Sequence, residues 1–459
     1  MSEFDVLVIG AGPAGENAAG RCAGGGLSVA IVERELVGGE CSYWGCIPSK
    51  VLLRPGEALA AARRVPGAAQ AVTGGVDAGA ALARRDAMTS GYSDEGQLPW
   101  LQDRGITLVR GLARLAGERR VEVERDGGEV ATLTARRAVV VATGSAAVIP
   151  PIPGLREINP WDNRDVTAVK EVPRRLLVLG GGVIGCEMAQ ALRRLGCEEV
   201  TVIEGLDRLL ANEEPFAGDE VRAAFEAEGI TVVTGSKMAA ARRDPNGIVA
   251  TLEDGRDLAG DELLVAVGRR PSTSDLGVET VGLEPGRWIP VDDQLRVPGH
   301  PWLYAVGDCN GRALLTHVGK YQARLAGDAI LGRQVLGKDV ADAGVVPRVT
   351  FTDPQVCAVG LTEAQARERG LDVVTVETST GGVAGAATLG EGITGTSKLV
   401  ISGGVIVGAT FTGPGVAELL HSATIAIVGN VPMERLWHAV PSFPTLSEVW
   451  LRLMEAYGL

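Results

Sequence analysis

Cys41 and Cys46 stand in the run Gly38-Gly39-Glu40-Cys41-Ser42-Tyr43-Trp44-Gly45-Cys46-Ile47-Pro48-Ser49-Lys50. Four intervening residues can loop through one turn, so the two sulfurs can approach disulfide distance. A helix starting there would lower a thiol pKa and raise its thiolate fraction. The pair suits dithiol–disulfide chemistry, with half of a zinc site or a plain surface pair as alternatives. Zinc needs further ligands at short spacing, whereas His300, His317, His421 and His438 and the remaining cysteines are scattered singly.

Two glycine runs point to phosphate binding. Gly10-Ala11-Gly12-Pro13-Ala14-Gly15 and Gly180-Gly181-Gly182-Val183-Ile184-Gly185 both match the dinucleotide fingerprint. Gly10 and Gly180 permit the tight turn, Gly12 and Gly182 leave room for a pyrophosphate, and Gly15 and Gly185 let a helix pack on its strand. The helix N-terminus adds N–H donors and a positive dipole end. Glu33 and Glu204, 23 and 24 residues after the first glycine of each copy, are spaced to accept from ribose hydroxyls. An acid at 204 favours a free 2′-hydroxyl, hence NADH over NADPH, with Arg208 four residues on pulling the other way.

Strand–turn–helix units must hold these residues. Segments 4–10 and 174–180 read as buried strands that run into the glycine turns and then Ala-rich helices. Their offset of 170 residues is too long for a solenoid and fits two separate α/β domains. Segment 56–120 reads as largely helical, 137–143 as a buried strand ending at Gly144, and 150–154 as a linker. The strand ending recurs at 263–268, and the chain returns through 303–308 to a long helix. From Val345 on, alternating strand patterns and two helices predict an α+β unit.

The 459 residues suggest about three domains. With 46% apolar and 22% charged residues the chain can build a sizeable core, which excludes disorder and fibrous architecture. The 63 glycines are about twice the usual share but follow no collagen period. A net charge of −13 opposes nucleic-acid phosphates and anionic membranes. An acidic start, and no run of about 18 apolar residues, predict a soluble cytoplasmic protein.

With these motifs in place, the chain resembles, over essentially its full length, the class I pyridine nucleotide-disulfide oxidoreductases of the dihydrolipoamide dehydrogenase and mercuric reductase type. The block from Cys41 to Lys50 is the most specific match. Ala142-Thr143-Gly144, Val267-Gly268-Arg269-Arg270-Pro271, Tyr304-Ala305-Val306-Gly307-Asp308 and Phe351-Thr352-Asp353-Pro354 support it. The resemblance implies an α/β fold of two Rossmann-like domains and a C-terminal α+β dimerisation domain. FAD would bind 1–149 and 273–342, NAD(P)H would bind 150–272, and 343–459 would form a homodimer.

It further implies cofactor contacts from Gly39, Lys50, Ala113, Thr143, Gly144, Asp308, His317 and Gly268, with Asp308 on the ribityl chain of FAD. Hydride would pass from NAD(P)H to the flavin, and two electrons from there to a Cys41–Cys46 disulfide. Cys46 would face the flavin and Cys41 the substrate, while Lys50 would pair with Glu187 beside the flavin. Only six of the 44 basic residues are lysines, so a Lys at this position stands out against an arginine default.

One departure affects the activity expected. Where lipoamide and glutathione reductases carry an acid/base histidine before a Pro-Thr pair, this chain has Phe443. General acid/base catalysis is worth roughly 10²–10⁴ in rate, so a small disulfide as acceptor competes with a quinone or metal ion, which need no such group. His438, five residues earlier, is a loop histidine. Thr445-Leu446-Ser447-Glu448 reads as a capping box, with Thr445 capping the last helix and Glu448 reaching back to the Thr445 amide. The leading expectation is an FAD- and NADH-dependent oxidoreductase. A flavoprotein that senses NADH or oxidant through the cysteine pair is the reading from another class.

Overall fold

The computed structural model describes residues 2–334 and 344–459, so the expected boundary between residues 342 and 343 lies outside the described residues. The chain divides into two units. One takes the residues up to Pro48, Asp86–Val148 and the described residues from Gly268 to Gln334; the other takes Ser49–Arg85, Ile149–Val267 and the residues from Gly344 on.

In the first unit the strand Ser2–Ile9 ends in four buried apolar residues, and it pairs in parallel with Val29–Glu33 on one side and Val130–Val141 on the other. Alternation along a strand sends successive side chains to opposite faces. Val6 and Val8 accordingly pack with Ala18, Ala19 and Cys22 of the helix Pro13–Gly24 and with Ala323 and Ala326 of the helix Thr316–Ile330. Leu7 and Ile9 join the opposite core with Val121, Val123 and Leu303. Leu303–Ala305 extends the sheet in parallel beside the end of Val130–Val141.

The expectation of helix across 56–120 needs correction. Helices cover Ala78–Met88 and Leu98–Asp103, but Thr107–Arg110 and Leu112–Leu115 are strands. Thr107–Arg110 adds in parallel to Val29–Glu33, and this tertiary pairing satisfies backbone groups that local periodicity leaves undecided.

In the second unit a parallel sheet in the order Ile230–Val233, Glu199–Ile203, Arg175–Leu179, Glu262–Val265 carries the helix Val183–Arg194 directly after Arg175–Leu179. A five-stranded antiparallel sheet is built from the C-terminal residues. This region holds five helices rather than the two expected: Glu363–Glu368, Ala384–Leu389, Leu420–Val428, Met433–Leu436 and Glu448–Tyr457.

The capping box is also absent. Thr445 donates its hydroxyl to the Ser442 carbonyl at 2.7 Å, and the buried Glu448 carboxylate accepts the Gly385 N–H at 3.1 Å. An amide distant in sequence won the carboxylate because the final helix begins at Glu448 itself, past Thr445. Among the described residues no helix is long and apolar enough to cross a membrane.

Candidate functional site

Each fingerprint closes as its glycines require. Gly10 has φ +98° and Gly180 +109°, and an added Cβ would lie 2.5 Å from the Ala142 carbonyl oxygen and 2.6 Å from that of Ala266, respectively. At Gly15 and Gly185 it would lie 1.9 Å from the carbonyl oxygens of Gly10 and Gly180, so strand and helix touch there. At Gly12 it would meet only the Gly39 Cα at 4.0 Å, and at Gly182 nothing within 4 Å. Open space above a helix N-terminus, with backbone N–H donors facing it, fits a bound dinucleotide pyrophosphate.

The two acids mirror each other. Glu33 accepts from Ala11 N and Glu35 N, both at 2.7 Å, and Glu204 accepts from Gly181 N at 2.6 Å and Leu206 N at 2.8 Å. Both carboxylates are thereby fixed over their glycine turns. Burial pushes the Glu33 carboxyl above its usual range, against the pull of the two amides. Arg208 donates to the Ala211 carbonyl at 2.9 Å.

Around the first cradle, Gly39 starts the short helix Gly39–Tyr43, and an added Cβ there would lie 2.8 Å from the Gly12 Cα. Ala113 is buried in Leu112–Leu115. The Thr143 hydroxyl is buried without a hydrogen-bond partner, a polar atom left for a ligand to satisfy. Space is open above Gly144 and Gly268. Ser145 donates its hydroxyl to Asp308 at 2.5 Å while accepting from Arg269 Nε at 2.7 Å, and burial raises the Asp308 pKa. His317 is exposed at the start of the helix Thr316–Ile330.

Both cysteines are half-buried thiols: Cys41 lies in Gly39–Tyr43, and Cys46 is the first residue of the helix Cys46–Arg63. Thr316 was not singled out by the sequence reading, yet its Oγ1 lies 3.2 Å from Cys46 Sγ. A separation of 270 residues leaves no local signal for that contact. The expected lowering of thiol pKa does not hold at Cys41. Its hydrogen bond with Cys46 and then burial push it up, against the pull of Thr316 and Lys320. Two thiolates side by side repel, so ionising one sulfur disfavours ionising the other.

In the second unit Lys50 donates to Glu187 at 2.7 Å, and Glu187 also accepts from Phe351 N at 3.0 Å. The Lys50 ammonium stands 4.9 Å from the Phe351 ring centroid, adding a cation–π contact. Phe443 is 77% exposed. Among the described residues no group of three or more His, Cys, Asp or Glu side chains could hold a metal ion.

Comparison with known proteins gives consistent matches. Residues 4–323 match the family described as pyridine nucleotide-disulphide oxidoreductase, and residues 346–454 match its dimerisation domain. A mercuric reductase of Staphylococcus aureus is 30% identical over 454 residues, 97% of this chain and 81% of that protein. A dihydrolipoyl dehydrogenase of Chlorobaculum tepidum is 34% identical over 462 residues, 97% of this chain and 95% of that protein. Among solved structures, the Cu(II) complex of the HOCl-induced flavoprotein disulfide reductase RclA from Escherichia coli has a TM-score of 0.87 at 25% identity, covering 99% of both chains.

Proposed function

We propose that this chain, which belongs to the pyridine nucleotide-disulphide oxidoreductase family, carries two electrons from NADH through FAD to a Cys41–Cys46 disulfide and on to a small acceptor. The family is FAD-dependent with NAD(P)H as electron donor. When bound, these two groups supply hydride transfer and the electron pair that opens the disulfide. The observation that carries the reading is the half-buried dithiol directly after the first fingerprint unit, in a chain with two dinucleotide cradles.

The residues divide the work. Gly10, Gly12, Gly15, Gly39 and Glu33 hold the adenosine diphosphate half of FAD, with Ala113, Thr143 and Gly144 beside it and Asp308 and His317 toward the flavin. Gly180, Gly182, Gly185, Glu204 and Gly268 hold NADH. A fixed carboxylate at Glu204 repels a 2′-phosphate, and Arg208 is turned to a backbone carbonyl instead of neutralising it. The Thr316 hydroxyl donates to the Cys46 thiolate, and Glu187 holds the Lys50 ammonium in one orientation. Cys41 meets the acceptor. The enzyme acts as a cytoplasmic homodimer through the matched dimerisation segment.

Anaerobic titration of the purified holoprotein tests this. NADH should raise a long-wavelength absorbance band that Cys46→Ser abolishes, and NADPH should do so less efficiently. No band, or a Cys46→Ser protein indistinguishable from wild type, rules the relay out.

A second reading of the acceptor follows from the exposed phenyl ring at 443, which can neither take nor give a proton. A metal ion or quinone needs no proton donor for a leaving thiol. Two of the similar proteins described above are a mercuric reductase and a Cu(II) complex. Steady-state rates with lipoamide, glutathione disulfide, a benzoquinone, Cu(II) and Hg(II) separate the readings. Lipoamide turnover at ordinary dehydrogenase rates overturns the second.

A further inference from the structure

We propose that Gln190 is a positioning residue for the Lys50–Glu187 pair. Its carboxamide clasps the backbone of Asp353 through both the N–H and the C=O, and so keeps the Phe351 amide on Glu187 and the Phe351 ring beside the Lys50 ammonium. The bearing on catalysis rests on the electron relay proposed above, in which Lys50 stands beside the flavin.

Residues 351–354 join the antiparallel strands Arg348–Thr350 and Gln355–Gly360, so their backbone groups fall outside that ladder and need other partners. The helix Val183–Arg194 supplies them from successive turns of one face. Glu187 accepts from Phe351 N at 3.0 Å. One turn on, Gln190 Oε1 accepts from Asp353 N at 2.7 Å while its Nε2 donates to the Asp353 carbonyl at 2.9 Å. This copies the pair of bonds that a facing residue makes in an antiparallel sheet. A further turn on, Arg194 donates to the Asp353 carboxylate at 2.9 Å. The same carboxylate accepts at 2.6 Å from Arg64, the residue directly after the helix that carries Lys50.

The carboxamide has one orientation that satisfies all its partners. Its second N–H goes to Glu228 at 2.8 Å, and Glu228 in turn accepts from Arg194 at 2.6 Å. Turned over, the amide would set N–H against N–H at Asp353, and oxygen against oxygen at both the Asp353 carbonyl and Glu228. Gln190 is completely buried, so no bulk water competes for these bonds. The groups that the clasp serves are open by comparison: Phe351 is 37% exposed and the Lys50 side chain 35%. A solvent-exposed ring and ammonium attract each other only weakly, so their 4.9 Å approach depends on a fixed backbone beneath the ring.

The test is trace acetylation of the oxidised holoenzyme with acetic anhydride, the Lys50 rate being read by peptide mass spectrometry against exposed Lys237 as internal reference. Phe351→Leu should raise the Lys50 rate about two- to fivefold, the factor that a solvent-exposed cation–π contact is worth. Gln190→Met, which keeps the length and removes the carboxamide, should raise it at least as much although it touches neither Lys50 nor Phe351. Gln190→Glu, which keeps an oxygen facing Asp353 N and loses both N–H donors, should raise it too. In the double variant of Phe351→Leu and Gln190→Met the two effects should not multiply, because both act through one contact. Anaerobic stopped-flow with NADH should show Gln190→Met slowing flavin reduction at saturation by about tenfold or more, with the half-saturating concentration within about twofold of wild type. That rate is measured per molecule, so a smaller folded fraction does not mimic it. An unchanged Lys50 rate in a folded Gln190 variant or in Phe351→Leu, or an unchanged rate of flavin reduction, overturns this inference and leaves the relay standing. A wild-type flavin that NADH does not reduce overturns the relay, while acetylation, which needs no electron transfer, still judges the clasp.

Discussion

Removing the Lys50 ammonium should strand a buried charge. The Glu187 side chain is 2% exposed and accepts two hydrogen bonds, from Lys50 Nζ and Phe351 N; the Lys50 side chain is 35% exposed. In Lys50→Met the carboxylate keeps only the amide. Breaking a buried ion pair from one side costs about 3–5 kcal/mol, because the remaining charge is left uncompensated. Water at the partly exposed Lys50 position lowers this to about 1–3 kcal/mol. Glu187→Gln should cost only about 1 kcal/mol, since the ammonium can turn to solvent and the amide oxygen still accepts from Phe351.

The double variant should therefore be more stable than the sum of single losses predicts, by about 1 kcal/mol or more. Urea titration of the holoproteins followed by tryptophan fluorescence measures this, each midpoint shift being converted with a common slope. Additive single losses refute the reasoning.

Gly12→Ala and Gly182→Ala have room for the new methyl and should fold, with weaker FAD binding in the first and a raised KM for NADH in the second. Gly15→Ala and Gly185→Ala, whose methyl would strike a carbonyl oxygen, should instead lose soluble protein; flavin content and expression yield separate the two classes. Phe443→His, on an exposed side chain, should change stability by no more than about 0.5 kcal/mol and raise turnover with lipoamide, and an unchanged lipoamide rate counts against the missing-base explanation. Burial lets Glu16 keep its proton in the folded chain up to about pH 7, while the unfolded chain loses it near 4.5. Stability from this group should therefore fall as pH rises across that window, and Glu16→Gln should remove the slope. Equal stability differences between the two proteins at both ends of the window contradict it.

Legibility in the sequence followed the range of the forces involved. The glycine turns, their strands and helices, Glu33, Glu204 and the cysteine pair lie within short segments, where backbone conformation and spacing state what the chain must do. Helix across 56–120 failed because Thr107–Arg110 is a strand only through its partner Val29–Glu33. The Thr445–Glu448 capping box failed because the Gly385 amide, 63 residues away, took the carboxylate.

The sequence by itself determined the family, through several short motifs, and both glycine turns and the two sulfurs, since each of these is a local arrangement of a few neighbouring residues. Only the tertiary structure decided what stands beside Cys46 and beside the Lys50–Glu187 ion pair: Thr316 at Cys46 and Phe351 at Glu187. Those contacts join residues 270 and 164 positions apart, and packing of whole elements, not spacing along the chain, brings such groups within reach of one another.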